Sequence, residues 1–109
     1  MKIYDEAHNL AKAIKDSEEY QNYKKLHDEI NNQESVKSEL QLFQAQQIEL
    51  QKRQLSGEKL TEEDLASAQS IYDELIKNEI VAQFFDAERK LNLVMADVSK
   101  ILGEVMDFR

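Results

Sequence analysis

The sequence contains no cysteine, no proline and no tryptophan, and only two glycines among its 109 residues. Without cysteine the chain cannot form a disulfide, a zinc finger or a cysteine-ligated cluster, and it has no thiolate nucleophile. Its two glycines are too far apart to build the glycine-rich loops that cradle phosphates. No apolar run approaches the roughly 18 residues that a membrane-spanning helix needs. We therefore expect no bound cofactor and no membrane partner.

Acidic residues outnumber basic ones, 22 to 14, which gives a formal net charge of −8. This excess repels phosphate backbones, so the sequence predicts no direct binding of nucleic acid. Two short basic stretches, Lys24-Lys25 and Lys52-Arg53, are embedded among acids and are interpreted as solvated helix faces. The first residues, Met1–Glu6, lack the hydrophobic core of a signal peptide, and we expect a cytoplasmic protein.

The residues that dominate the chain are Glu, Lys, Gln, Leu and Ala, all of which favour helices. The sequence therefore predicts an all-α fold, with approximate helices over 3–30, 33–55 and 61–107. The segment Asp16–Glu19 is typical of a helix cap, with Asp16 as the capping residue. The sequence leaves open whether residues 3–30 form one kinked helix or two.

The clearest turn lies at residues 56–61. Gly57 suits the left-handed position after a helix end, and Thr61 suits the N-cap of the helix that follows. From there an apolar stripe continues in phase through a weak break at Lys77-Asn78-Glu79. The sequence therefore favours one long helix up to residue 107, straight or bent near Asn78, and leaves open whether that helix is continuous from Thr61.

The C-terminal seam is the most regular pattern in the chain. Its apolar residues alternate steps of three and four, at Phe84, Ala87, Leu91, Val94, Val98, Ile101, Val105 and Phe108. This 3.5-residue period is typical of a coiled-coil interface. A helix over 79–107 would be about 43 Å long, whereas a compact chain of this size is about 34 Å across. Because one chain is too small to cover the seam, we predict a homodimer.

In this interpretation residues 1–109 form a single helical domain, an open three-helix subunit that pairs into a homodimeric helical bundle. The predicted oligomer interface consists of Phe84, Ala87, Leu91, Val94, Val98, Ile101 and Val105. Tyr72, Phe84 and Phe85 are the aromatic residues best suited to anchor a partner, and we expect them to serve the homodimer.

Candidates for metal binding or catalysis are few. The only histidines, His8 and His27, have no metal-binding spacing, although Asp5 and Asp28 lie near them in the sequence. Neighbouring acids such as Glu18-Glu19 point in different directions on a helix, whereas acid–base catalysis needs two carboxyl groups that face a common pocket. We therefore predict no metal site, no catalytic residue and no enzyme activity.

An ordered set of short motifs runs along nearly the whole chain. Its members are Tyr4-Asp5-x-Ala7-x-x-Leu10-x-x-Ala13-Ile14, Ser17-Glu18-Glu19-Tyr20, Asp28-Glu29-Ile30, Glu34-Ser35, Gln54-x-x-Gly57-Glu58-x-Leu60-Thr61, Ala68-Gln69 and Ala87-Glu88. In this order they resemble the YlbF/YmcA family, and in particular its YheA-like branch. The resemblance implies a small all-α cytosolic protein of Gram-positive bacteria that forms dimers.

The resemblance also implies a regulatory context. Some family members associate with each other and with a third protein, YaaT, and the complex influences RNA maturation by RNase Y. Through it they affect competence, sporulation and biofilm formation. Members of that complex hold iron–sulfur clusters through cysteines, which this chain lacks, so no cluster is carried over. The family has no known catalytic residues.

Together these features predict a non-enzymatic helical regulatory protein that acts as a homodimer and resembles YlbF/YmcA-type regulators. Its acidic outer faces would select a further partner, which the resemblance suggests is another regulatory protein. The alternative is an accessory regulator of RNA processing in complex with an RNase or its partners. That alternative is based on the resemblance alone.

Overall fold

The computed structural model describes residues 1–107, and these residues form five α-helices and no β-strand. The helices are α1 (Lys2–Asp16), α2 (Glu18–Asn31), α3 (Glu34–Leu55), α4 (Glu62–Leu75) and α5 (Glu79–Gly103). A single 3₁₀ turn, Glu104–Met106, follows α5. The predicted all-α class is confirmed, and Phe108 of the C-terminal seam lies outside the described residues.

The prediction of an open three-helix subunit is wrong, because the structure has five helices. The long helix predicted over 61–107 is divided into α4 and α5. Asn78 accounts for the division, because its side-chain oxygen accepts hydrogen bonds from the N–H groups of Ile80 (3.0 Å) and Val81 (3.4 Å). An asparagine amide competes with the helical ladder in this way and favours a new helix start. The apolar stripe stays in phase across this short turn, so hydrophobic spacing alone did not reveal the break between α4 and α5.

The first break, which the sequence left open, lies at Ser17. Its backbone is extended, with φ −69° and ψ 152°. Its hydroxyl donates to the carbonyl oxygen of Ile14 (2.6 Å) and accepts from the N–H of Tyr20 (3.2 Å). Ser17 therefore ends α1 and caps α2, the role that the sequence analysis assigned to Asp16.

Backbone contacts group the chain into two compact units. Unit 1 consists of Met1–His27 together with the stretch from Gln83 onward, and unit 2 consists of Asp28–Ala82. Among the described residues, the buried apolar side chains are Leu26, Phe84 and Ala87 in unit 1, and Ile30, Leu40, Leu50, Leu75 and Val81 in unit 2. The assignment of residues 1–109 to a single domain stays a prediction.

Within unit 2, α3 and α4 pack against each other as a helical hairpin. Gly57 lies in the connecting turn with φ +94°, which confirms the predicted left-handed position. At the start of α4 the hydroxyl of Thr61 accepts from the N–H of Asp64 (3.0 Å), and the carboxylate of Asp64 accepts from the N–H of Thr61 (2.9 Å). This capping box confirms the predicted N-cap and fixes where the second helix of the hairpin begins.

Candidate interaction surfaces

The C-terminal seam changes from buried to exposed along α5. In chain order its residues are Phe84 (0% exposed), Ala87 (2%), the half-buried Leu91, Val94 and Val98, and then Ile101 (62%) and Val105 (74%). The first two residues belong to the core of the chain itself. Of the seam residues that the structure describes, only Ile101 and Val105 present most of their side chains to solvent. The assignment of the seam as an oligomer interface stays a prediction.

An aromatic cluster explains why the first part of the seam is buried. The ring of Phe84 lies 5.2 Å from that of Tyr23, 6.1 Å from that of His27 and 6.1 Å from that of Phe85, measured between ring centroids. These separations lie within the range at which aromatic pairs attract each other. The cluster therefore connects α2 to α5 within unit 1, and it gives His27 a packing role.

Glu88 is a half-buried carboxyl group one helical turn after Phe84. Burial raises the pKa of Glu88 above its ordinary value, because the ionised form loses hydration. Burial also raises the pKa of Tyr23, and the negative charge of Glu88 adds to that shift. Partial burial of this part of unit 1 is thus the main cause of both pKa shifts.

The middle of the seam borders an open depression in unit 1. Its volume is about 750 Å³, and its lining comes from the start of α2 and the middle of α5: Glu18, Glu19, Gln21, Asn22, Lys90, Leu93 and Val94. The lining mixes both signs of charge with two apolar side chains. It contains no histidine or aromatic group to position a ligand.

Unit 1 carries an exposed apolar set at the beginning and toward the end of the described chain. The helix α1 has no buried residue, although its apolar positions repeat at helical spacing. The members of the set are Ile3 (69% exposed) and Leu10 (36%) on α1, and Ile101 (62%), Leu102 (58%), Val105 (74%) and Met106 (71%) in α5 and the turn that follows it. Exposed large apolar side chains are candidates for protein contacts.

In unit 2, Arg53 of α3 connects the two sides of the hairpin turn. Its Nη1 and Nη2 atoms donate to the two carboxylate oxygens of Asp64 (3.2 and 2.9 Å), and its Nε donates to Glu58 (2.8 Å). The Arg53 guanidinium, together with the N–H of Thr61, lowers the pKa of Asp64 to about 2. Arg53 is thus half-buried and bidentate rather than part of a freely solvated basic stretch, and its role is structural.

A groove lies between the two helices of the same hairpin. This α3–α4 groove has a volume of about 390 Å³ and is lined by Phe43, Gln47, Leu65, Ala68, Gln69 and Tyr72. Leu65 is 56% exposed, and the rings of Phe43 and Tyr72 are 6.1 Å apart between centroids. A second depression of about 460 Å³ shares Leu65 and continues toward Gly57 and Leu60 at the turn. The groove was not predicted from the sequence, in which Tyr72 was assigned to the homodimer.

The charge of the chain is divided unevenly between the two units. Residues 28–82 contain 12 Asp and Glu against 5 Lys and Arg, which gives a net charge of −7. The remaining residues contain 10 acidic and 9 basic side chains, which gives −1. Unit 1 therefore combines near neutrality with exposed apolar residues, whereas unit 2 combines a groove with strong negative charge.

Within residues 1–107, no three His, Cys, Asp or Glu side chains converge closely enough to hold a metal ion. His8 is exposed on α1, while His27 stacks near Phe84. In the same part of the chain, no helix is long and apolar enough to cross a membrane.

Comparisons with known proteins give a consistent result. The family described as "Control of competence regulator ComK, YlbF/YmcA" matches residues 3–107. A UPF0342 protein from Alkalihalophilus pseudofirmus is 36% identical over 105 residues, which cover 96% of this chain and 89% of that protein. A UPF0342 protein from Halothermothrix orenii is 39% identical over 102 residues, with coverage of 94% and 86%.

Among solved structures, the fold is similar to that of a "Protein of Unknown Function (DUF964)" from Bacillus stearothermophilus. The TM-score is 0.85, and the alignment covers 97% of this chain and 93% of that one. The two sequences are 21% identical, so this likeness concerns the fold alone.

Proposed function

Because the chain belongs to the YlbF/YmcA family, as its motifs predict, we propose that it is a non-enzymatic regulatory protein that acts through protein contacts. We further propose that two copies associate through the exposed apolar set of unit 1. This set includes the last exposed residues of the C-terminal seam, Ile101 and Val105. The observation that carries the proposal is their exposure, 62% and 74%, at the end of α5 and in the turn that follows it, whereas the earlier seam residues are buried or half-buried.

The exposed apolar set has six members, all of them large apolar side chains. Fully burying one large aliphatic side chain contributes about 1.5–3 kcal/mol, so covering the exposed fractions of all six would contribute roughly 5–10 kcal/mol per chain. That gain is large beside the net stability of a small domain, which is about 5–15 kcal/mol. A partner surface that covers the set would therefore stabilise the protein substantially.

A second copy of the chain is the occupant that the charges favour. Unit 1 has a net charge of −1, so two such surfaces approach each other with little electrostatic repulsion. A two-fold pair also brings the same exposed apolar residues from each copy into one interface. The strongly acidic surface of unit 2 is then left to select a different partner.

Light scattering during size exclusion tests the pairing. We expect a mass of twice the 12.7 kDa chain at micromolar concentration. The double variant Ile101→Asp/Val105→Asp should be monomeric and still helical, because both side chains are exposed in the single chain. The matched control is Leu42→Asp, which changes an equally exposed leucine (70%) in unit 2 and should leave the pair intact.

Two results would contradict the proposed pairing. One is a wild-type chain that remains monomeric at micromolar concentration. The other is an Ile101→Asp/Val105→Asp variant that pairs as tightly as the wild type.

A role in RNA processing, in complex with an RNase or its partners, is the second candidate, and family membership is what supports it. The net charge of −8 favours contact with a protein of such a complex over contact with RNA. Affinity purification from a native lysate tests this role. Recovery of an RNase or its accessory proteins with wild-type protein, in nuclease-treated lysate, would support it. Their absence would favour a different regulatory target.

A further inference from the structure

We infer that the α3–α4 groove binds a basic amphipathic helix of another protein. This inference rests on the proposed role as an interaction protein, but it does not depend on the pairing of two copies. The surface involved belongs to unit 2, whereas the proposed pairing uses unit 1.

The α3–α4 groove exposes apolar side chains along one helix face. Leu65 is 56% exposed and Tyr72 is 37% exposed, although both line the same groove between α3 and α4. They lie seven residues apart, two turns along one face of α4. A partner helix presents apolar residues at the same repeat, so its side chains can alternate with these two along the groove.

Polar residues also line the groove. Gln47 and Gln69 are part of its lining, one from each helix. Gln69 donates to the carboxylate of Asp73 (2.8 Å), which places that acid at the edge of the groove. Glutamines and a carboxylate at the border of an apolar strip match a helix with polar and positively charged flanks.

The net charge of unit 2 favours one kind of occupant for the groove. Unit 2 carries a net charge of −7. The depression that shares Leu65 with the groove adds little to this field, because Glu58 in its lining is paired with Arg53 and Lys59 lies beside it. A second copy of unit 2 would bring an equal negative charge to the same place, and the like charges would repel. An anionic membrane is disfavoured for the same reason. A helix rich in lysine or arginine is attracted by the field of the whole unit.

A designed peptide serves as the probe, because the partner is defined by its chemistry. We choose a dye-labelled helical peptide about as long as α4, with leucine at i, i+3, i+4 and i+7 and lysine elsewhere. Two control peptides have the same length. In one, glutamate replaces every lysine; in the other, the composition is unchanged but the leucines are distributed around the helix. Binding to the full chain is measured by fluorescence anisotropy at low and at high salt.

Matched variants locate the binding surface. Leu65→Ser should weaken peptide binding about tenfold, because it removes the central apolar contact. Leu42→Ser changes an exposed leucine of α3 that does not line the groove, and it should leave binding unchanged. Asp73→Asn should weaken binding about twofold at low salt and less at high salt, whereas Glu104→Gln in unit 1 should have no effect.

The outcomes separate this inference from the proposed pairing. We expect the lysine peptide alone to bind, and to bind equally well to the Ile101→Asp/Val105→Asp variant. Equal binding of the glutamate or the scattered peptide would overturn the inference, and so would the absence of binding or wild-type affinity for Leu65→Ser. A Leu65→Ser variant that loses pairing would also overturn it, since the groove would then be a contact between copies.

Discussion

Replacing Phe84 by alanine tests whether the first part of the C-terminal seam belongs to the core of a single chain. The side chain is fully buried and its ring contacts those of Tyr23, His27 and Phe85. A buried Phe→Ala substitution removes apolar contacts and leaves a cavity, at a cost of about 3–5 kcal/mol. Because a small domain is stable by about 5–15 kcal/mol, Phe84→Ala should lose a large part of its free energy of unfolding.

Urea denaturation followed by circular dichroism measures this loss. Leu93→Ala is the matched control, since Leu93 lies on the same helix, is 60% exposed and does not belong to the seam. We expect it to change the free energy of unfolding by no more than about 0.5 kcal/mol. Both measurements are repeated at two protein concentrations, and the cost of Phe84→Ala should be the same at both. A cost below about 1 kcal/mol would show that Phe84 is not a core residue, and a cost found only at high concentration would place it in an interface.

Three further predictions concern single groups. Thr61→Ala should destabilise the protein by about 1 kcal/mol in urea, because it removes half of the capping box, whereas Thr61→Ser should not. Gly57→Ala should lower the free energy of unfolding by about 1–2 kcal/mol, because φ at Gly57 is +94°. Gly103→Ala should raise it by about 0.5–1 kcal/mol, because φ at Gly103 is −63° and the space around it is open. Equal effects of the two substitutions would contradict the assigned turn at Gly57. The raised pKa of Glu88 means that the folded state holds its proton more tightly than the unfolded state, so wild-type stability falls as pH rises through the folded pKa. Glu88→Gln should therefore be the more stable protein at pH 7, and the difference should disappear below about pH 4.

Local sequence signals predicted a helix end correctly where the backbone geometry at that position favours a particular type of residue. Gly57 and Thr61 are such cases, because a left-handed turn favours glycine and an N-cap needs a side-chain acceptor. Asn78 carries an equally local signal, but the apolar stripe that crosses it in phase outweighed that signal in the sequence analysis. The three-helix prediction failed at this residue because hydrophobic period was given precedence over capping chemistry.

Burial was harder to predict than helix position. The spacing of the seam predicts that Phe84 and Val105 share one helix face, but spacing does not indicate which residues of that face are buried. Which end of that face the chain covers depends on Tyr23 and His27, which are about 60 residues earlier in the sequence. The α3–α4 groove raises the same difficulty, since the exposure of Leu65 depends on how closely α3 approaches it.

The uneven charge explains how one small chain can have two distinct kinds of contact. Apolar surfaces by themselves discriminate poorly, because almost any exposed apolar stripe can cover another. The net charge of −1 in unit 1 suits the proposed contact between two copies, whereas the net charge of −7 in unit 2 disfavours a second copy and suits the proposed basic partner. Both units expose large apolar residues, such as Val105 and Leu65, so the two proposals distinguish the partners of these surfaces by charge. The acidic composition is thus a property of one half of the molecule, and that half is where a regulatory target would be recognised.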